Sequence, residues 1–185
     1  MPMAISVLLA KLIISDFVKK TKVNNMQLVP YQPEGTEEIA SKMESLFSEY
    51  QIYEQNVQKI MWEPKLRPYL DFGEKVDRLY YFTHQNTHIL AQQLMQWGYN
   101  PQASSQDILA LSVTNIQALG EVTNFDEAIK SIVQMSQQLL AEVQEVFYTA
   151  AAYEEKNSME LMTRFAWQLK FAMSIFRQVR FAQNN

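Results

Sequence analysis

The chain contains no cysteine. Disulfides, thiolate metal sites and a cysteine nucleophile are excluded together, and the composition fits a reducing compartment. Only two histidines are present, His84 and His88, which leaves little material for imidazole acid-base chemistry. Four glycines and six prolines are few for 185 residues; they disfavour turn-dense β-structure and leave no glycine-rich phosphate loop. A formal charge of -4 gives no basic surface of the kind nucleic acids select. Long apolar runs are missing too. Residues 4–10 begin like a secretory apolar core, but Lys11 interrupts them, no charged segment precedes them, and Asp16 and Lys19-Lys20 follow closely. The expectation is a cytoplasmic protein with no membrane partner.

What is present is helix-forming. Methionine, leucine, alanine and glutamine abound, 48% of residues are hydrophobic, and the length suits one core. The ten methionines read as gap-filling core residues, with soft-metal or redox use as the sharper alternative for Met61 and Met95. The class expected is all-α, with residues 1–35 an extension and 36–185 a helical bundle.

Four long helices follow from periodicity and punctuation. Thr36 is placed as an N-cap with Glu37 and Glu38 in the first turn, and Ile39, Met43, Leu46, Phe47, Tyr50, Tyr53, Val57 and Ile60 recur at three- and four-residue steps as far as Trp62. Pro64 and Pro68 separate this helix from a second over about 69–97, with Gly98 as its stop and Phe72, Val76, Leu79, Phe82, Leu90, Leu94 and Trp97 as its apolar stripe. On the opposite side, Asp77, His84, His88 and Met95 fall within roughly 40° of one another. Ser105 opens a short helix to Leu111. A third long helix is expected from Asn124 or Asp126 to Tyr153, and a fourth from Ser158 to Arg180. Four helices with one long connection carrying a short helix between the second and third make a ferritin-like bundle.

The residues from Met61-Trp62 through Leu79-Tyr80, Ala91 and Gln96-Trp97-Gly98 carry a resemblance to the Dps family, the DNA-binding proteins from starved cells of the ferritin superfamily. The resemblance spans about residues 36–180. It implies a hollow homo-oligomer, a dodecamer built on twofold dimers, that stores iron, consumes ferrous iron and peroxide, and protects DNA. In that family a histidine precedes the anchoring tryptophan, a second follows twelve residues later and an aspartate four after that. An aspartate and a glutamate from the twofold-related subunit complete the ferroxidase site. The corresponding residues here are Met61, Gly73, Asp77, His88 and Gln92, so one carboxylate, one imidazole and one amide stand where five ligands are expected. Ferrous and ferric iron need anionic oxygen and imidazole donors. Met61 and Gly73 are lost-ligand positions, and the resemblance leaves ferroxidase activity open.

Other readings stand beside that one. His84 and His88, at i and i+4, have the spacing by which a helix presents two imidazoles to one metal, with Asp77 on the same face, a set suited to zinc or another divalent metal. The same spacing serves a solvated or interface pair with no metal at all. Glu74 and Glu54 are candidate additional oxygen donors or merely solvated carboxylates. Lys11, Lys19, Lys20 and Lys22, four lysines against Asp16, resemble the tails with which some Dps proteins hold the DNA backbone without sequence preference; a solvated cluster ending an apolar helix reads equally. Arg164, Lys170, Arg177 and Arg180, interleaved with Phe165, Trp167, Phe171, Phe176 and Phe181, suit nucleic acid or, more plainly, core aromatics with cations offsetting a helix dipole. Three functions follow: an iron-handling Dps-like shell, a non-enzymatic shell or partner-binding subunit, and a DNA-compacting protein without ferroxidase activity.

Overall fold

The computed structural model describes residues 34–101, 116–122 and 124–183. The expected N-terminal helix, its lysines and the short Ser105 to Leu111 helix lie outside these residues. Those described form four long helices, α1 (Thr36–Met61), α2 (Leu70–Gln96), α3 (Phe125–Ala152) and α4 (Lys156–Gln183), with a 3-10 turn at Pro64–Leu66 between the first two. No strand occurs among them.

The helix ends show the local chemistry. Thr36 is the first helical residue, and Gly35 at φ 75 precedes it, so the cap lies one residue earlier than the sequence suggests and makes no side-chain bond. A Cβ at Gly35 would run into the Tyr153 ring. Glu63 accepts Lys65 N and opens the 3-10 turn, with Pro64 at a position where a missing N–H costs nothing. Helix α2 ends in a Schellman motif: Gly98, at φ 84, gives its N–H to Met95 O and Tyr99 gives its own to Leu94 O. Asn124 caps α3 by accepting Glu127 N at 3.0 Å. Helix α4 starts at Lys156, two residues before the expected Ser158, because the buried Glu155 carboxylate accepts the N–H groups of Asn157 and Ser158.

Adjacent helices run antiparallel. Gln58 meets Tyr80 between α1 and α2, and Arg180 meets Asp126 between α4 and α3. Every apolar position named for α1 is buried, most of them completely. Helix α2 departs from expectation at one point. Phe82 is 44% exposed, and the buried line passes instead through Thr83 and Asn86. The bundle's middle is therefore polar and bonded from helix to helix. Tyr53 and Ser136 hydroxyls meet at 2.7 Å, and Asn86 gives its amide to Gln168 Oε1 at 2.8 Å. Burial pushes the Tyr50 and Tyr53 phenols far up, so both stay protonated donors.

The far end of the connection between α2 and α3 runs along α1. Asn56 Nδ2 donates to Gln117 O at 2.9 Å, its Oδ1 accepts Leu119 N at 2.8 Å, and Lys59 Nζ reaches Leu119 O. Glu49, buried about two turns earlier on α1, accepts Ile116 N. No helix among the described residues is long and apolar enough to cross a membrane.

Candidate functional site

The candidate residues divide between two clefts along the outward side of α2. One, of about 290 Å³, lies at the α1–α2 turn and is lined by Met61 and Tyr69 together with Gly73, Glu74 and Asp77. Helix α2 sets this arrangement, since Gly73 and Asp77 are one turn apart. Asp77 and Glu74 are exposed, and neither forms an ion pair among the described residues. A Cβ added at Gly73 would meet nothing within 4 Å, so the space a longer side chain would occupy is open.

The second cleft, of about 380 Å³, lies between α1 and α2 and takes in Gln51, Glu54, Gln58, His84, Thr87 and His88. His84 Nδ1 is 2.8 Å from Glu54 Oε1, and the Thr87 hydroxyl is 3.1 Å from the other carboxylate oxygen. The His84 ring also stacks on Tyr80. Gln92 Nε2 lies 3.0 Å from His88 Nε2, where the amide donates to an unprotonated ring nitrogen. His84 thus has a carboxylate partner from α1, and His88 an amide partner from its own helix.

The sequence set is therefore split. Asp77, with Met61, Gly73 and Glu74, belongs to the end cleft, whereas His84 and His88 belong to the cleft over Glu54. Among the described residues no three histidine, aspartate or glutamate side chains come together as a metal cluster. The end cleft offers one hard anionic donor at the matching positions, Asp77; Met61 contributes a soft thioether and Gly73 no atom. That donor set does not fit iron as a set of imidazoles and carboxylates would. The role of Glu54 as the His84 partner was not visible in the sequence as a pairing, because periodicity within one helix does not register across two. Its only trace was its place two turns before Met61.

Exposed apolar side chains complete the surface. Trp62 at the α1–α2 turn, Tyr81 and Met95 on α2, and Trp167, Phe171 and Phe181 on α4 all face outward. Trp97 is buried, while Arg164 lies over the Phe165 ring and Arg180 is paired with Asp126.

No family model and no curated protein sequence matches the chain. Solved structures do. A Dps protein from Vibrio cholerae O1, described as a member of a broad superfamily of ferritin-like diiron-carboxylate proteins, superposes with a TM-score of 0.71 over 78% of this chain and 89% of its own, at 14% identity. The fold is that of Dps proteins. Antigen TpF1 from Treponema pallidum gives a TM-score of 0.69 at 15% identity over 80% of this chain and 98% of its own. Dps from Listeria innocua, in crystals soaked with zinc, gives 0.68 at 14% over 76% and 94%. The Dps-like likeness is one of backbone architecture, and at these identities the side chains of the site answer for themselves.

Proposed function

We infer that this chain is a Dps-like subunit that assembles with copies of itself into a hollow cytoplasmic shell. Its role belongs to iron storage and protection of DNA from oxidative damage, and its ferroxidase centre has been altered beyond ordinary use. The observation that carries this reading is the end cleft, where the Dps-like backbone brings Met61, Gly73 and Asp77 together and only Asp77 is a ligand for hard iron. Assembly is supported by the outward side of α2, where Asp77, His84, His88, Tyr81 and Met95 are exposed on the face opposite the core. A subunit in a twofold dimer, which the resemblance makes the building unit, has a surface of this mixed polar and apolar kind.

Native mass spectrometry of the full chain tests the shell; a monomer at micromolar concentration would end this reading. Oxygen and peroxide consumption with ferrous iron tests the centre. The expectation is a rate close to that of iron alone, unchanged in Asp77→Ala/His88→Ala.

A second reading, retained metal chemistry across the dimer interface, is favoured by Asp77 being exposed without an ion pair among the described residues. It predicts iron-dependent consumption that the double variant abolishes. Building ligands back sharpens the choice: Met61→His/Gly73→His, for which Gly73 has room, is expected to gain zinc or ferrous iron binding that calorimetry detects and the parent chain lacks.

A further inference from the structure

The seam between α2 and α4 is the least closed in the bundle and widens into an apolar groove of about 490 Å³, a volume within the range of small-ligand sites. Its walls are aromatic. Trp167 and Phe171 stack on each other with rings 5.3 Å apart and only 5° from parallel, yet stand 64% and 51% exposed, and Phe82 faces them from α2. Beyond that mutual stacking, the three aromatic side chains leave a large apolar area uncovered by the described residues at one groove.

The floor is polar and uncharged. Asn86 donates to Gln168 Oε1 and, at 3.4 Å, to the Tyr50 hydroxyl. Tyr50 therefore accepts one bond and keeps its own proton to give, and burial holds that phenol in its protonated, donating form. Gln168 Oε1 is engaged while its Nε2 protons have no partner among the described side chains. The floor thus offers donors. At the rim the charges balance: Lys75 is paired with Asp71, and Glu74 and Arg78 carry opposite signs. No net field selects a charged ligand, and a carboxylate on a floor without a cation would be costly to desolvate.

We propose that the α2–α4 groove is a binding site for a flat, uncharged aromatic molecule bearing a carbonyl acceptor, its ring packed against the surface that the Trp167–Phe171 stack leaves uncovered and its oxygen taken by Tyr50 and Gln168. The site shares only Glu74, at its rim, with the end cleft and no residue with the cleft over Glu54.

The test uses the full chain in its native assembly and three probes of one shape: 9-fluorenone, fluorene without the oxygen, and 9-fluorenone-4-carboxylate with an added charge. Calorimetry and saturation-transfer NMR are expected to show fluorenone binding best, with Tyr50→Phe lowering its affinity about three- to tenfold toward that of fluorene. Ala172→Trp, which fills the groove, is expected to abolish binding while circular dichroism stays unchanged. Gln168→Leu provides a second floor variant should Tyr50→Phe fold poorly. Equal binding of fluorene and fluorenone, preference for the carboxylate, or persistence of binding in Ala172→Trp would overturn the proposal. So would Trp167 emission that is buried in the assembled protein and exposed on dilution, since a second copy would then be the occupant.

Discussion

The seam between α1 and α3 and the seam between α2 and α4 are built from the same kinds of residue and end up opposite in character. In the first, Tyr53 and Ser136 bond hydroxyl to hydroxyl, and Asn56 ties Met135 Sδ and the backbone of 117 and 119 into one fastening. In the second, Asn86 and Gln168 bond across an opening whose aromatic walls stay exposed. A buried polar pair does not by itself close a seam. Closure on the α1–α3 side comes from a third segment, the end of the long connection, whose backbone groups Asn56 satisfies.

That difference can be broken in graded ways. Alkali has the largest effect and strikes both seams. Tyr50 and Tyr53 are held protonated in the fold, so as pH rises past about 10 the unfolded chain ionises while the folded one keeps its protons, and stability falls. Urea midpoints measured from pH 8 to 11 are expected to drop steeply, and Tyr53→Phe to flatten the drop. Next comes Asn56→Ala, which leaves Gln117 O and Leu119 N without their partner; a loss of about 2–3 kcal/mol in chemical denaturation is expected. The α2–α4 counterpart should be nearly silent. Asn86→Leu/Gln168→Leu/Tyr50→Phe removes every member of the bonded set together and is expected to change stability by less than about 1 kcal/mol in either direction. A cost as large as that of Asn56→Ala would erase the contrast. Opposite in sign is Glu154→Gly: Glu154 holds φ 54 at the end of α3, and glycine there should raise stability by about 0.5–1 kcal/mol, seen as a slightly higher Tm.

The eight apolar positions named for helix α1 are all buried, because a stripe buried against two neighbours obeys a simple 3.6-residue period, whereas the buried Ser48, Glu49 and Asn56 carry no hydrophobic signal. Helix α2 misled at Phe82. On the helical wheel that position lies roughly 80° from the stripe's centre, whereas Thr83 lies near the centre; hydrophobicity argued for the first and geometry for the second. Geometry won, and Thr83 satisfied its hydroxyl on Leu79 O within its own helix. Glu155 escaped notice as a cap because its carboxylate does the work usually read from serine or asparagine. At the candidate site, the spacing of Met61, Gly73 and Asp77 was readable and the structure places them in one cleft. The partnership of His84 with Glu54 depends on how two helices are set against each other, and no single-helix pattern contains it.

The Asn56 fastening also bears on the order in which the molecule forms. Helices α1 and α2, joined by a short turn, and α3 and α4, joined by three residues, are local hairpins that pay little loop entropy to pair. Asn56 reaches residues 61 and 63 positions away, so its bonds, like the Tyr53–Ser136 bond over 83 positions, join one hairpin to the far end of the chain and belong late on the route to the native state. Loosening that strap should therefore speed unfolding while leaving the folding rate almost untouched, making this one amide a determinant of how long the folded chain lasts.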